Sequence, residues 1–311
     1  MGDSAASQVK DALQTLASPE KAKASAWFFK TGPGQYGAGD RFIGVTVPQQ
    51  RLVARQFRDL PLGEVQRLLQ SPIHEHRLTA LFILVDQYRR ATKISPRPRL
   101  HDPVGQASLT KRGNPPFAKG RLGGILAGST RRVEPREIVE CYLRNLDQIN
   151  NWDLVDSSAP YILGDWLVCH PELVEGSQRF FGLGPQNDEQ MADTILLTLA
   201  KSTNVWRRRI AMLTCGGMIR VGQFDDALAI AEILVHDPHD LIQKAVGWML
   251  REIGNRDHAV ELKFLNQYAA TMPRTMLRYA IEKFPSNLRT DFLKRATNYR
   301  VTRKKSGENN F

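Results

Sequence analysis

A small residue recurs at one position of four helical segments, and this repeat is the strongest constraint that the sequence places on the fold. Ala80, Ala211, Gly247 and Ala280 each lie three residues after a long side chain, which is basic in the first three. From Ala211 to Gly247 is 36 residues, and from Gly247 to Ala280 is 33 residues. Such periods are typical of paired helices stacked into a solenoid, where small residues let neighbouring helices approach closely. The sequence therefore predicts an all-α superhelical solenoid of HEAT-like repeats, and an irregular helical domain is the alternative.

Helical periodicity extends over most of the chain, because apolar residues recur at spacings of three and four. No run of residues shows the alternating pattern of a strand. The predicted helices are 7–17, 19–30, 47–58, 62–69, 74–90, 135–147, 151–170, 191–201, 204–220, 225–236, 241–253, 258–269, 274–284 and 286–296.

Two segments interrupt this pattern. Residues 94–131 are rich in Pro, Gly and basic residues, and residues 171–189 also lose the helical period. Both are interpreted as loops inserted between helices, and we expect the first to be disordered. A basic arm that touches phosphates is the other reading of 94–131, but its cations lack the regular aromatic interleaving of nucleic-acid-binding segments. We thus expect one domain over 1–311, with a basic tail at 300–311.

The charge balance favours an anionic partner. The chain has 43 Lys and Arg against 32 Asp and Glu, a net charge of +11. Residues 94–131 supply about six of these positive charges, so the remainder of the chain is only moderately basic. Nucleic acid is the expected partner of such a chain.

Several other classes of protein are excluded. Three widely spaced cysteines without a CxxC motif argue against a disulfide framework and indicate buried, reduced thiols. The histidines show no metal-ligand spacing, so we expect no metal and no cofactor. No signal peptide and no apolar stretch of about 18 residues are found, so the sequence predicts a cytoplasmic protein without a membrane span.

The segment 151–156 carries the most informative side chains. Trp152 and Asp156 are four residues apart and share one face of a helix. A packed indole beside a solvated acid would explain an isolated pair. Here two further helical segments also mix tryptophan with cations, around Trp206–Arg209 and around Trp248–Arg251. Aromatic faces, a carboxylate and arginines together indicate a site that binds an anionic polymer and acts on a cationic centre.

Five blocks of the sequence resemble one family, the AlkD-type alkylpurine DNA glycosylases. The similarity covers residues 19–93 and 132–300. The blocks are Asn151-Trp152-Asp153-x-x-Asp156, Gly164-Asp165 with His170-Pro171, Asn204-x-Trp206-x-x-Arg209, Gln243-Lys244-Ala245-x-Gly247-Trp248-x-Leu250-Arg251-Glu252, and Phe42-Ile43-Gly44-Val45-x-x-Pro48.

The resemblance implies a helical superhelix whose concave basic surface cradles duplex DNA. It implies a monomeric enzyme that cleaves the N-glycosidic bond of cationic N3- or N7-alkylated purines without flipping the base, and so begins base excision repair. By the resemblance, Trp152 and Trp248 contact the sugar, Asp156 is the catalytic carboxylate and Arg209 is the site arginine. An aromatic residue that is usually Tyr in the family falls at Phe28, which lacks the hydroxyl group.

These residue types suit the reaction. A purine that carries a positive charge is already a good leaving group, and its departure leaves positive charge on the sugar. A carboxylate at Asp156 and the aromatic faces of Trp152 and Trp248 would stabilise that charge. Arg209 would hold a neighbouring phosphate through its planar fork. The repeat spacing also places Arg209 and Trp248 on the same face of successive helices.

Other side chains have two readings. Contact with phosphates and plain surface solvation are both open for Arg207, Arg208, Lys244 and Arg251. Trp206 is read as a buried anchor between repeats, Asp153 as a cap or a solvated acid, and Asp165 as a structural hydrogen-bonding group. Two functions remain as alternatives: a non-catalytic HEAT-repeat protein that binds distorted or branched DNA, and a protein-binding scaffold.

Overall fold

The computed structural model describes residues 4–92, 133–170 and 195–305, and within these ranges the chain is all-α. The only strand-like feature in the described ranges is an isolated bridge between Arg41 and Ile73. Two 3₁₀ turns lie at Leu146–Gln148 and Ile281–Lys283. The described helices are α1 Ala5–Gln14, α2 Pro19–Phe28, α3 Val47–Gln56, α4 Leu62–Leu69, α5 His74–Thr92, α6 Pro135–Arg144, α7 Trp152–Asp156, α8 Leu163–Cys169, α9 Ile195–Ala200, α10 Val205–Arg220, α11 Asp225–Leu234, α12 Asp240–Gly254, α13 His258–Tyr268, α14 Arg274–Ala280 and α15 Ser286–Lys305.

The helices pack in two layers that repeat along the chain. In one layer α8 packs against α10, α10 against α12, and α12 against α14. In the other layer α9 and α11 cover α10, while α11 and α13 cover α12. This arrangement confirms the predicted helical-repeat solenoid. None of the described helices has the length and apolar character that crossing a membrane requires.

The recurring small residues allow the close contacts between equivalent helices. Ala211, Gly247 and Ala280 lie on α10, α12 and α14, three successive members of one layer. A methyl group on Gly247 would lie 2.4 Å from the carbonyl oxygen of Met276 on α14. A second close contact at small residues lies between α8 and α10, where a methyl group on Gly217 would lie 2.4 Å from the carbonyl carbon of Gly164. The repeat pattern in the sequence did not include this second pair.

One predicted helix is wrong. Residues 151–170 were expected to form a continuous helix, but α7 ends at Asp156 and α8 begins at Leu163. Pro160 lies in the turn between them, and a proline disfavours the helical conformation of the residue before it. The break leaves Trp152 and Asp156 on a helix of only five residues.

Three predictions about the rest of the chain have different outcomes. The proposed inserted loops at 94–131 and 171–189 lie outside the described residues. Helix α15 continues to Lys305, past residue 300 where the basic tail was expected to begin. That the chain forms a single domain over 1–311 stays a prediction.

The segment before α3 is fixed by one buried carboxylate. Glu75 on α5 accepts hydrogen bonds from the backbone N–H groups of Ile43 (3.1 Å), Gly44 (2.7 Å) and Val45 (3.3 Å). Gly44 has φ +80°, and a side chain there would meet the carbonyl oxygen of Ser18 at 2.1 Å. The motif from Phe42 to Pro48 is thus a tight crossing of the chain over the start of α2, and it fixes the end of the glycine-rich loop 31–40.

Candidate active site

Helix α7 is positioned by its contacts with other parts of the chain. Five residues are too few to form a stable helix alone, so tertiary packing must hold it. Leu154 and Val155 are fully buried, and the side chain of buried Asn151 caps the helix by accepting a hydrogen bond from the N–H of Trp152 at 2.8 Å. This cap leaves Trp152 and Asp156 at the two ends of a short, anchored helix.

The indole of Trp152 lies among phenylalanine rings. Its ring stacks on Phe29, with centroids 5.3 Å apart and planes at 27°, and it meets the edge of Phe28 at 5.9 Å. Phe28 is 57% exposed at the end of α2, and its neighbour Trp27 is 83% exposed. The exposed ring of Phe28 beside Trp152 gives this part of the surface an electron-rich character that suits contact with a sugar or a base.

Asp156 forms an ion pair with Arg209 of α10. The guanidinium donates from Nε to Oδ1 at 2.9 Å and from Nη2 to Oδ2 at 2.7 Å. The Arg209 side chain is only 6% exposed, while Asp156 keeps 17% of its side-chain surface. Arg209 also donates from Nη1 to the carbonyl oxygen of Leu241 at 2.5 Å. The sequence predicted that Arg209 binds a phosphate. In the structure its guanidinium instead binds the Asp156 carboxylate and the backbone at the start of α12.

Trp248 belongs to the next helix of the same layer. It lies on α12 seven residues after Leu241, which is about two helical turns. Its side chain is half-buried, and the indole N–H donates to Oε1 of Glu252 at 3.3 Å. Because Arg209 donates hydrogen bonds to both Asp156 and Leu241, it connects α7 directly to the helix of Trp248.

The four cations expected near DNA fall into two groups. Arg207 and Lys244 are partly exposed, and each pairs with an exposed acid. Arg207 lies 2.9 Å from Asp147, and Lys244 lies 2.6 Å from Asp240. Exposed pairs of this kind are weak, so a phosphate can replace the acid.

Arg208 and Arg251 are placed differently. Arg208 is mostly buried and binds the carboxylate of Asp237 at 2.7 Å together with two backbone carbonyls. Arg251 is 9% exposed and forms an ion pair with Glu282. Their engagement inside the fold favours a structural role over the phosphate contact that the sequence left open.

Three further interpretations can be compared with the structure. Trp206 is buried, as expected for an anchor between repeats, and meets the edge of Tyr36 at 6.1 Å. Asp165 is a structural group, because its buried carboxylate pairs with Arg220 at 2.6 Å. The reading of Asp153 as a cap or a solvated acid is incomplete. One of its oxygens accepts from the N–H of Leu154, but the other lies 2.8 Å from Nε2 of His74.

A buried polar cluster beneath α7 was missed by sequence reasoning. His74 at the start of α5 lies between Asp153 and Asp40, and Asp40 also pairs with Arg77 and Asn151. Phe29, which stacks on Trp152, was missed as well. Two signals in the sequence were available. One is the polar run His74–Arg77 that ends three residues before Ala80, and the other is Asp40, an acid at the end of the glycine-rich loop.

The described residues contain no group of three or more His, Cys, Asp or Glu side chains that could hold a metal ion. Cys141 and Cys215 are buried, as expected, and burial raises the pKa of the Cys141 thiol to about 11. The expectation of buried thiols was wrong for Cys169, which is exposed at the end of α8.

A comparison with protein-family models identifies the family of the chain. Residues 9–100 and 119–284 match the sequence model of the DNA alkylation repair enzyme family. A solved structure from Enterococcus faecalis, described as a predicted DNA alkylation repair enzyme, superposes with a TM-score of 0.57 at 15% identity, covering 88% of this chain and 99% of that chain. At this identity the likeness shows the fold. No curated protein matches the chain.

Proposed function

Because this chain belongs to the DNA alkylation repair enzyme family, we propose that it is a DNA glycosylase. Its substrate would be duplex DNA that contains purines carrying a positive charge after alkylation at N3 or N7, the 3-methyladenine and 7-methylguanine type. It would act as a monomer in the cytoplasm, without base flipping, and its product would start base excision repair. The observation that carries the proposal is the presence of Trp152 and Asp156 on one short helix, with Asp156 held by Arg209.

The proposed reaction is hydrolysis of the N-glycosidic bond. The bond between the sugar carbon and the purine nitrogen breaks, its electron pair leaves with the base, and the base departs neutral. The positive charge passes to the sugar, where a water molecule adds and loses a proton. An abasic site and a free alkylated base are the products.

Each candidate side chain would have a distinct part in this reaction. The carboxylate of Asp156 would stabilise the positive sugar and orient the water molecule. The faces of Trp152 and Trp248 would flank the sugar, each such contact contributing on the order of 0.5–2 kcal/mol. Arg209 would hold the Asp156 carboxylate in place, since three of its N–H groups are already engaged. Arg207, Lys244 and Phe28 would contact the DNA backbone.

A non-catalytic protein that binds distorted or branched DNA is the second candidate. It is favoured by the bidentate pair itself, because Arg209 compensates the charge that the proposed chemistry requires of Asp156. The glycosylase proposal is compatible with this pair, because the Asp156 carboxylate keeps part of its surface exposed. The positive sugar would be a second cationic partner of that carboxylate beside Arg209. The two candidates therefore differ in one outcome, the release of a base.

A base-release assay separates them. Purified protein is incubated with a duplex that contains a single 7-methylguanine, and the free base is measured by chromatography and mass spectrometry. The undamaged duplex of the same sequence is the control. The glycosylase proposal expects free 7-methylguanine and an equal amount of alkali-labile abasic sites. Tight binding to the duplex without either product would favour the non-catalytic candidate.

A further inference from the structure

The polar cluster beneath α7 is built around one histidine and two carboxylates. His74 is 1% exposed, and its Nδ1 lies 3.0 Å from Oδ2 of Asp40 while its Nε2 lies 2.8 Å from Oδ2 of Asp153. Ionised carboxylates only accept hydrogen bonds. Both contacts therefore exist together only when both ring nitrogens carry a proton, which makes the ring an imidazolium.

Asp40 connects this histidine to the rest of the site. Its carboxylate pairs with Arg77 on α5 and accepts from the amide of Asn151 at 2.8 Å. Arg77 donates in turn to the side chain of Asn150 at 2.5 Å and to the carbonyl oxygen of Gln148 at 3.3 Å. The whole segment that leads into α7 is thus tied to the start of α5.

The three polar residues of Asn151-Trp152-Asp153-Leu154-Val155-Asp156 each have their own partner. Asn151 is held by Asp40, Asp153 by His74, and Asp156 by Arg209. These contacts fix both ends of the helix. Aromatic packing also connects α7 to His74. The ring of Phe29 lies between those of Trp152 and His74, with centroid distances of 5.3 Å and 5.0 Å.

We propose that Asp40 and His74 are positioning residues of the proposed reaction: they clamp α7 so that Trp152 and Asp156 keep the geometry that catalysis needs. This inference rests on the proposed function. Neither residue touches the substrate, and both act through Asn151 and Asp153. A misplacement of about 1 Å at a reacting group can cost about 100-fold in rate, so a helix of five residues gains much from such a clamp.

The electrostatics of the cluster agree with the geometry. Burial alone would lower the pKa of His74, but the charge of Asp153 and hydrogen bonds to Asp153 and Asp40 raise it to about 9. Burial likewise opposes ionisation of Asp40, yet the hydrogen bond from His74 and the charge of Arg77 hold the pKa of the Asp40 carboxyl below its usual range. The charged groups that face the imidazolium are thus Asp40 and Asp153, with Arg77 behind Asp40.

The sign of the pH dependence follows from this pKa. A histidine whose pKa is about 6.5 when unfolded and about 9 when folded favours the clamped state below pH 6.5. The contribution decreases as pH rises from 6.5 to 9, and it is lost above about 9. We therefore expect the clamp to loosen in that upper range.

The first test is a pH profile of single-turnover base release from a duplex with one 7-methylguanine, between pH 6.5 and 10. We expect the wild-type rate to fall through about pH 9. The rate of His74→Gln should be at least about tenfold lower at pH 7 and should show no step near pH 9. The matched control is His76→Gln on the same helix, because buried His76 hydrogen-bonds to the hydroxyl of Ser71 and not to a carboxylate of the cluster. This control should keep the wild-type profile.

The second test does not depend on activity. In the free wild-type protein, the imidazole resonance of His74 should titrate near pH 9, and the indole resonance of Trp152 should move with the same midpoint. Asp153→Asn should lower that midpoint, and this variant also replaces His74→Gln if the latter does not fold. A His74 midpoint near 6.5, or a His74→Gln variant with the wild-type rate and profile, would overturn the clamp. If wild-type protein released no base while both resonances titrated near pH 9, the clamp would stand and the glycosylase proposal would fail.

Discussion

Arg209 holds both oxygens of the Asp156 carboxylate, at 2.9 Å from Nε and 2.7 Å from Nη2. The pair joins α7 to α10, and the third contact of Arg209 reaches Leu241 at the start of α12. Planar bidentate pairing fixes the direction of a carboxylate as well as its position. The proposed catalytic carboxylate is therefore oriented before DNA binds, by a residue that the family resemblance had assigned to a phosphate.

Replacing Asp156 by Asn is expected to reduce base release by at least about 100-fold while DNA binding stays close to the wild-type level. The reason is that the negative charge of Asp156 acts on a positive sugar that exists only in the transition state. Single-turnover release of 7-methylguanine and equilibrium binding to the same duplex measure the two effects.

The control for this substitution is Asp165→Asn, which weakens the more deeply buried pair between Asp165 and Arg220 on the neighbouring helices. We expect this variant to lose stability but to keep its rate per folded molecule. Release by Asp156→Asn at the wild-type rate would remove Asp156 from the mechanism.

The fold could be predicted because local patterns determine it. Helical periodicity and the recurring small residues at Ala211, Gly247 and Ala280 define helices and their close approach, and both are properties of short segments. The break between α7 and α8 at Pro160 was missed because an apolar helical period continues through it.

The candidate site could be predicted only in part. Trp152, Asp156 and Arg209 were visible through residue type and spacing. Their pairing partners were not visible, since Asp40 and His74 are 34 residues apart, and His74 and Asp153 are 79 residues apart. Nothing in a sequence indicates which of several acids will face a given cation across three helices. For the same reason the sequence could not show which cations are exposed. Arg207 and Lys244 are partly exposed, whereas Arg208 and Arg251 are engaged inside the fold.

DNA binding should weaken as salt rises, and the exposed cations should carry part of that dependence. Each phosphate contact contributes about −0.9 to the slope of log K against log salt. Arg207→Ala and Lys244→Ala should each make the slope shallower by about one. Lys263→Ala is the matched control, because Lys263 is an exposed cation on α13, in the other layer from α10 and α12, which carry Arg207 and Lys244. Titrations of a labelled duplex at several salt concentrations give the slopes, and equal slopes for all four proteins would contradict the proposed surface.

Substituting Gly217 by Ala should destabilise the solenoid by about 1–3 kcal/mol or prevent folding, because overpacking forces the backbones apart. The added methyl group would lie 2.4 Å from the Gly164 carbonyl carbon, with backbone on both sides of the contact. Gly63→Ala on α4 is the control, since its added methyl group would meet no atom within 4 Å apart from its chain neighbours and its own helix backbone. There the higher helix propensity of alanine predicts a neutral or slightly stabilising effect. Urea denaturation measures both, and equal stabilities would show that α8 and α10 can separate without cost.

Glu261 should make the fold less stable as pH rises. Burial raises the pKa of its carboxyl to about 8, and its Oε1 accepts no hydrogen bond from any residue in the described ranges. With an unfolded pKa near 4.5, this group supports the fold fully below pH 4.5, and the support is lost as pH rises through about 8.

The glutamine of Glu261→Gln cannot ionise. The free energy of unfolding of this variant relative to wild type should therefore be higher at pH 8.5 than at pH 5. The gain should be on the order of 1–4 kcal/mol, since one pKa unit corresponds to about 1.4 kcal/mol. Urea denaturation at the two pH values gives the difference. An identical pH dependence in both proteins would mean that Glu261 titrates as an ordinary exposed acid.

The enzyme should release cationic purines and leave neutral lesions in place. A neutral base such as hypoxanthine or uracil needs a proton or strong hydrogen bonds to depart, whereas a purine alkylated at N3 or N7 already carries the charge. The titratable side chains on and directly beneath α7 are already paired with one another or with Arg209. His74 is buried with both ring nitrogens bonded to carboxylates, and Asp153 and Asp156 are held in ion pairs. Trp152 is surrounded by the hydrocarbon rings of Phe28 and Phe29, which provide no hydrogen bonds for reading a base.

Single-turnover assays on matched duplexes with 7-methylguanine, 3-methyladenine, hypoxanthine or uracil would measure this preference. We expect release of the two cationic bases and rates at the spontaneous background for the two neutral ones, because stabilising the sugar cation alone does not make a neutral base a good leaving group. The catalytic-site variant Asp156→Asn provides the background on each duplex. Comparable wild-type rates on uracil or hypoxanthine would mean that a general acid acts at this site, and the mechanism built on Asp156 and the tryptophans would have to be replaced.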